Sequence, residues 1–282
     1  MSSNEEQIQY WNENGPKWVQ LQDDLDKTIG PIGDHMIELA AAAPGERVLD
    51  VGCGCGATSL SLARRVAPSG KVTGVDISVP MLARARERVA EEAIDNIEFL
   101  EADAQVHAFE AAQTDLITSR FGIMFFADPV AAFRNLHGAL KPEGRTAFVC
   151  WQPLGENPWM RIPVMAAASQ LAELPPPPDP NAPGPFALGD PDRVRSILAD
   201  AGFQKVEVDA HEAELTLGGS GSFEDSVDFI LRMGPTGRML AEVGQDVADR
   251  AREAVAKAVE PYATPSGIQM SYATWLVRAL HG

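Results

Sequence analysis

Residues 49–57 read Leu-Asp-Val-Gly-Cys-Gly-Cys-Gly-Ala, and this stretch decides the fold. The chain before it, RVLDVG (residues 47–52), is a short apolar run that stops at glycines, which is typical of a buried strand. The chain after it, GATSLSLARRVA (residues 56–67), has the spacing of a helix. Three alternating glycines let the backbone pass close to a ligand, and the helix N-terminus offers free N–H groups. The stretch therefore predicts a strand, a ligand-binding turn and a helix.

The same alternation of strand and helix continues outward from this turn. It predicts a parallel sheet with helices on both faces, which is an α/β fold. Helices are inserted after the fifth and sixth strands, and they indicate a helical cap. Ser78, Asp128 and Asp190 stand where N-caps are expected. The predicted strands are residues 47–52, 71–77, 97–103, 115–121, 145–151, 204–215 and 267–280.

The flanking segments are predicted to belong to the same domain, which spans residues 1–282. Residues 1–44 form an N-terminal helical cover, with a helical pattern over residues 5–43 and the aromatic residues Tyr10, Trp11 and Trp18. Residues 45–151 form the binding core, and residues 152–282 supply the cap insertions, helical over 223–260, and the C-terminal strands. Four consecutive prolines within residues 174–185 predict a stiff surface loop, either a connector or the edge of a lid.

The composition disfavours several kinds of partner. Of 282 residues, 40 are acidic and 23 basic, which gives a net charge of −17 at pH 7. Such a surface repels phosphate backbones, so nucleic acid is not expected as a partner. No stretch approaches the roughly 20 apolar residues of a membrane span, and the polar N-terminus lacks a secretion signal, so we expect a cytoplasmic protein. We expect three reduced cysteines and no metal site, because Cys53-x-Cys55 is too closely spaced and lacks a second ligand pair.

Three acidic residues at successive strand ends indicate the ligand. Gly52, Gly54 and Ala57 also satisfy the dinucleotide fingerprint, which leaves a nicotinamide-dependent oxidoreductase open. Asp50, however, would oppose a pyrophosphate and suit a cationic amino acid. Asp76, at the end of the second strand, is suited to ribose hydroxyls, and Asp103, at the end of the third, to an adenine amino group. The set describes a ligand with an ammonium group, a ribose and an adenine, and requires no phosphate.

The chain resembles the class I methyltransferases that use S-adenosylmethionine (SAM), and within them the small-molecule group similar to ubiquinone and menaquinone biosynthesis enzymes. The resemblance rests on LDVGCGCG, VDIS, EADAQ and ALKPEGRTAFVCW, and it covers residues 45–151 well. It implies a Rossmann-like, seven-stranded, mostly parallel sheet with SAM as the cofactor. Family members often have two glycines where this chain has Glu143-Gly144, which is a change within a turn.

The resemblance also implies a role for each matching residue. Asp50 and the glycine loop would hold the methionine part of SAM, Asp76 the ribose, and the remaining residues the adenine and the methyl-donor region. The implied cofactor-binding residues are Asp50, Gly52, Cys53, Gly54, Gly56, Asp76, Ile77, Met81, Asp103, Ala104, Ser119 and Arg120.

The methyl acceptor is expected beside the ends of the fourth and fifth strands, because ligands of open α/β sheets bind at the carboxyl ends. Aromatic residues gather there and could hold a planar or apolar small molecule. The candidate acceptor-binding residues are Trp18, Phe121, Phe125 and Trp151.

None of the five histidines lies in a motif, so the sequence nominates no catalytic base. A protein that senses SAM without catalysis would have the same motifs, and the amphipathic segment 223–260 could serve a homodimer as well as a lid.

Overall fold

In the computed structural model, the glycine turn joins the central strand of one sheet to a helix, as predicted. The structure describes residues 4–173, 179–219 and 221–282. Within these ranges the sheet has eight strands. They are β1 (Arg47–Val51), β2 (Lys71–Asp76), β3 (Ile97–Glu101), β4 (Thr114–Arg120), β5 (Leu140–Trp151), β6 (Gln204–Leu217), β7 (Ala263–Thr264) and β8 (Gly267–Leu280).

The strand order is β3-β2-β1-β4-β5-β8-β6. Strands β1 to β5 pair in parallel, whereas β8 runs antiparallel to both of its neighbours. The mostly parallel sheet is therefore confirmed, and all seven predicted strands are present. The two-residue β7 is an addition that pairs only with β8. Because the order reverses between β1 and β4, the carboxyl ends of these strands border the switch point at which α/β sheets bind ligands.

Helices surround the sheet. In the described residues they are α1 (Glu5–Gln20), α2 (Gln22–Ala40), α3 (Ala57–Val66), α4 (Val79–Glu91), α5 (Pro129–Ala139), α6 (Pro158–Ala168), α7 (Pro191–Asp200), α8 (Phe223–Arg232), α9 (Gly234–Met239) and α10 (Gln245–Val259). Helix α2 packs over β4, β5 and β6, and α1 packs against α4. Helices α6, α8, α9 and α10 contact one another and form the cap after the fifth and sixth strands. None of the described helices has the length and apolar character that crossing a membrane requires.

Two long helical predictions are divided in the structure. Residues 5–43 form two helices that meet at Leu21. Residues 223–260 form three helices, because Pro235 starts a new helix at its first turn and Gly244 precedes the next one. Proline fixes its own φ and lacks an N–H, so a helix is readily interrupted there. The prediction was right about the helical character and wrong about its continuity.

One predicted helix cap is right in position only. Ser78 is the N-cap residue of α4, but its side chain makes no capping bond. Its hydroxyl instead donates to the backbone carbonyl of Trp11 over 2.9 Å, because α1 lies against the start of α4. Asp128 and Asp190 do cap α5 and α7, accepting the N–H groups of Ala131 and Asp192.

The buried apolar side chains form one cluster, which runs from α2 through the sheet to α10. The division of the chain at residues 44 and 151 into an N-terminal cover, a binding core and a region of cap insertions stays a prediction. Glu143 has a φ of 67°, in the left-handed region that favours glycine, at the position where the resembling family often has one. The predicted proline-rich loop, residues 174–185, falls in part on 174–178, which lie outside the described residues.

Candidate cofactor and acceptor site

The three glycines of the turn differ in what surrounds them. A Cβ on Gly52 would lie 2.6 Å from the backbone of Gly122, and one on Gly56 would lie 3.1 Å from the Cβ of Ala85. Both glycines therefore allow close packing within the protein. A Cβ on Gly54 would meet only the Met81 sulfur, at 3.8 Å. All three glycines have a positive φ, and of the three only Gly54 has room for a Cβ without crowding, which is the feature expected of a cradle for a ligand.

Asp50 lies beneath this turn and is 1% exposed. Its carboxylate accepts hydrogen bonds from the hydroxyls of Ser59 at 2.5 Å and Thr118 at 3.2 Å. Burial raises the pKa of Asp50 to about 6, while Ser59, the guanidinium of Arg120 and Thr118 act in the opposite direction. The side chain is thus a buried acid that titrates near neutrality, and a cation placed beside it would favour its ionised form.

Asp76 ends β2 and connects the turn to the next helix. Its Oδ2 accepts the backbone N–H of Gly54 at 2.7 Å, and its Oδ1 accepts that of Ser78 at 2.9 Å. Burial raises the pKa of Asp76, and the two N–H donors act against that rise. Each carboxylate oxygen keeps lone-pair capacity beyond its backbone bond, so the group can also accept hydrogen bonds from a diol.

The third acid, Asp103, follows β3. It accepts the backbone N–H of Gln105 at 2.9 Å and the amide of Asn4 at 3.4 Å. The next residue, Ala104, is buried, and its carbonyl accepts a hydrogen bond from Asn135. Sequence reasoning had assigned these two positions but not the asparagines that border them.

Helix α1 lies along the carboxyl ends of β2 and β3. The Asn12 side chain donates to the carbonyl of Ile77 at 3.0 Å and accepts the N–H of Val79 at 3.0 Å. The Asn4 oxygen accepts the N–H of Ala127 at 3.2 Å. These contacts attach the start and the middle of α1 to loops that border the predicted adenine and ribose positions. Nothing in the sequence pattern marked Asn4 or Asn12, because asparagine is common on exposed helix faces.

The other predicted cofactor residues lie around the same turn. Cys53 is buried, and burial raises the pKa of its thiol. Cys55 and Cys150 are also free thiols. Met81, on α4, is buried with its sulfur facing Gly54. In the part of the chain that the structure describes, no group of three or more His, Cys, Asp or Glu side chains is arranged to hold a metal ion.

Ser119 and Arg120 are the last two residues of β4, and their side chains contact different parts of the protein. The Ser119 hydroxyl donates to the carbonyl of Val51 at 2.7 Å and accepts the N–H of Gly122 at 3.2 Å. Arg120 lies under α2, with its Cδ 3.0 Å from where a Cβ on Gly33 would stand. It borders a cavity of about 200 Å³ that the first residues of α3 also line. Burial lowers the pKa of Arg120, while Asp26 and Asp50 oppose that effect.

Two aromatic groups stand over the ends of β4 and β5. The rings of Phe121 and Trp151 stack at 4.0 Å, and Trp159 packs 5.3 Å from Trp151. The Nε1–H of Trp159 is buried, and no protein atom in the described ranges accepts its hydrogen bond. Such a buried donor is unusual, since most are satisfied.

The second aromatic group comes from α1 and the loop after β4. Trp11 lies between Trp18 and Phe125, with ring centroids 5.3 and 5.0 Å away. All four predicted acceptor-binding aromatics therefore lie in these two groups. Trp11 and Trp159, which carry the same aromatic signal, belong to these groups as well.

Comparisons with known proteins identify the family. Residues 48–144 match the model of a methyltransferase domain. The chain is 35% identical over 118 residues to aklanonic acid methyltransferase DauC of Streptomyces sp. strain C5, across 42% of this chain and 54% of that protein. It is 30% identical over 189 residues to nocamycin O-methyltransferase of Saccharothrix syringae, across 64% of this chain and 67% of that protein. The chain thus spans about half the length of the first of these relatives.

A solved structure has the same fold. The YcgJ protein from Bacillus subtilis superposes with a TM-score of 0.58 at 19% identity, covering 88% of this chain and 97% of that one. The chain belongs to the class I SAM-dependent methyltransferases. This membership rules out the nicotinamide-dependent interpretation that the glycine turn alone had left open.

Proposed function

We propose that this protein transfers a methyl group from SAM to a small organic acceptor by direct displacement. The observation that carries the proposal is the uncrowded position of Gly54 in the glycine turn, with the buried carboxylates of Asp50 and Asp76 on either side of the turn. When bound, SAM supplies an electrophilic methyl group on a sulfonium. Alignment of donor and acceptor then contributes much of the rate, so binding residues are the main requirement.

The methionine end of the cofactor fits the charges around the turn. Asp50 is a buried acid suited to an ammonium group, and Arg120 is a half-buried cation suited to a carboxylate. Both border the first turn of α3, where free N–H groups also favour an anion. We assign the cradle itself to Gly52, Cys53, Gly54 and Gly56, and the methyl-donor region to Ser119 with Arg120.

The nucleoside end fits the next two strand ends. We assign Asp76 to the ribose hydroxyls, because its carboxylate oxygens keep lone pairs beyond the bonds to Gly54 and Ser78. Asp103 and Ala104 are assigned to the adenine edge, with Ile77 and Met81 on its faces. Helix α1 is assigned as a cover over this end, which would exclude water from the bound cofactor.

The aromatic groups support a planar acceptor. The stacked rings of Phe121 and Trp151 offer a flat apolar surface, and Trp18 and Phe125 line the α1 side. The buried Nε1–H of Trp159 needs an acceptor, and an oxygen on the substrate would satisfy it. Two relatives are named for the small molecules aklanonic acid and nocamycin, which is consistent with a small acceptor.

The test is incubation with methyl-deuterated SAM and a bacterial metabolite extract, followed by mass spectrometry for labelled products. Asp76→Ala is the control, because it removes the ribose contact. We expect a labelled product that the control lacks. SAM binding without any product would favour a sensor, and absence of SAM binding would refute the cofactor assignment. A cytoplasmic location and a homodimer stay predictions from the sequence.

A further inference from the structure

Tyr272 and His211 form a hydrogen-bonded pair beyond the carboxyl end of β5. In the sheet, Trp151 is the last residue of β5 and pairs with Thr274, which in turn pairs with His211. Tyr272 is two residues before Thr274 in β8, and therefore on the same face as Thr274 and His211. Its Oη lies 3.1 Å from Nε2 of His211. Tyr272 itself is buried, and His211 is half-buried, so the pair stands at the margin of the core beside the predicted acceptor region.

A continuous row of rings connects this pair to the end of β4. Phe121 stacks on Trp151 at 4.0 Å, and the edge of Tyr272 meets Trp151 at 6.3 Å. Beyond Tyr272, the ring of His211 lies 5.9 Å away, and the exposed His35 of α2 lies 4.6 Å from His211. An acceptor lying on the Phe121 and Trp151 rings would have Tyr272 as its polar neighbour. The exposed His35 would connect His211 to solvent.

We propose that Tyr272 and His211 accept the proton of the methyl acceptor, and that the methylated group is therefore a hydroxyl on a planar ring. The acceptor O–H bond breaks as its oxygen bonds to the methyl carbon and the carbon–sulfur bond of the donor breaks. The proton passes to the Tyr272 oxygen while the Tyr272 proton passes to Nε2 of His211. This inference rests on the proposed function and names its substrate class.

The surroundings of the pair suit this role. Burial, together with the neighbouring His35, lowers the pKa of His211, so its imidazole is neutral and able to accept a proton at neutral pH. Burial raises the pKa of Tyr272, which keeps its hydroxyl protonated as a relay. The ionisable groups that face His211 are His35 from α2 and Tyr272 from β8, and the next charged residue on its face of β6 is Asp209. The Nδ1 atom of His35 is hydrogen-bonded to the backbone carbonyl oxygen of Pro31 at 2.8 Å.

The test uses 2-naphthol, a planar two-ring phenol whose ionised form has its own near-ultraviolet absorption band. It is titrated with pH while bound to protein saturated with S-adenosylhomocysteine, the demethylated cofactor, so no turnover is needed. We expect the acid dissociation constant of bound 2-naphthol to exceed that of free 2-naphthol by about tenfold or more, as for an acid beside a proton acceptor. Tyr272→Phe and His211→Gln should each abolish the increase.

His137→Gln is the matched control, because His137 lies on α5 and its ring contacts His281 and Phe203, away from the pair. Thermal unfolding of each variant verifies that it folds. Bound 2-naphthol with equal ionisation in the wild type and both pair variants would overturn the proposal, as would failure of 2-naphthol to bind. Calorimetry with SAM distinguishes failure of the proposed function from failure of this inference. A wild type that does not bind SAM would overturn the proposed function itself. A wild type that binds SAM but does not increase the ionisation of 2-naphthol would overturn only the proton-accepting pair.

Discussion

The backbone N–H of Gly54 donates a 2.7 Å hydrogen bond to the carboxylate of Asp76. The glycine turn after β1 is thereby joined to the end of β2 by the same side chain that is assigned to the ribose. A change at Asp76 must therefore affect both the ligand and the shape of the turn. Experiments at this site need variants that separate the two effects.

Asp76→Ala is expected to weaken SAM binding by more than tenfold, because a charge-assisted hydrogen bond contributes about 1.5–3 kcal/mol. Isothermal titration calorimetry measures the affinity. Asp76→Asn is the companion variant, since it keeps the side-chain volume and one acceptor oxygen while removing the charge. An affinity for SAM that neither variant changes would contradict the ribose assignment.

Gly52→Ala is expected to reduce mainly the stability of the fold, and Gly54→Ala mainly the affinity for SAM. Both residues have a positive φ, so each alanine incurs a similar backbone cost of about 1 kcal/mol. The Cβ at residue 52 would also meet the backbone of Gly122 at 2.6 Å, whereas the Cβ at residue 54 would make only an ordinary contact with the Met81 sulfur at 3.8 Å. We therefore expect the larger drop in unfolding temperature for Gly52→Ala, and for Gly54→Ala a nearly normal fold with weakened SAM binding. Equal unfolding temperatures and normal SAM affinity in both variants would refute the assignment of the glycine turn as the cradle for SAM.

Asp50→Asn should change how stability depends on pH. With a native pKa of about 6 against an ordinary 3.8, Asp50 binds its proton more tightly in the folded state. Its stabilising contribution is complete below pH 3.8 and is lost as pH rises through about 6. The free energy of unfolding of Asp50→Asn, relative to the wild type, should therefore rise by about 3 kcal/mol across this window. Denaturant unfolding at several pH values between 3.5 and about 7 measures it.

Asp115 offers the opposite control. Burial acts to raise its pKa, but the ammonium of Lys141 and the N–H of Arg47 outweigh burial and hold the pKa below its ordinary value. Asp115→Asn should therefore lose stability relative to the wild type as pH rises, in the sense opposite to Asp50→Asn. Parallel curves for the two variants would show that the effect at Asp50 is not specific to its buried position.

Asn12→Ala should loosen the α1 cover, because it removes the bonds to Ile77 and Val79. We expect faster dissociation of SAM in stopped-flow experiments and faster proteolysis within α1. The matched control is Asn14→Ala, since Asn14 bonds only to the carbonyl of Tyr10 in its own helix. If both variants release SAM at the wild-type rate, α1 does not act as a cover.

Much of the fold could be predicted from local patterns. Strand–helix alternation predicted every strand except the two-residue β7, and Asp128 and Asp190 marked correct helix starts, because strand burial and capping depend on neighbouring residues. Ser78 stands at the predicted N-cap, but its hydroxyl makes no capping bond because its partner, the Trp11 carbonyl, comes from a distant helix. The three helices of residues 223–260 were predicted as one, although Pro235 and Gly244 were visible breaks.

By itself the sequence determined the family, through its motifs, and the strand–turn–helix unit. It also placed acids at three strand ends, because parallel strands bring residues of known spacing to one edge of the sheet. Only the tertiary structure decided which glycine of the turn is uncrowded, that α1 lies over Asp76 and Asp103, and that Tyr272 meets His211 beside Trp151. These relationships join residues far apart in the chain. They depend on how helices pack on the sheet and how β8 aligns with β6, and no local pattern of residues contains that information.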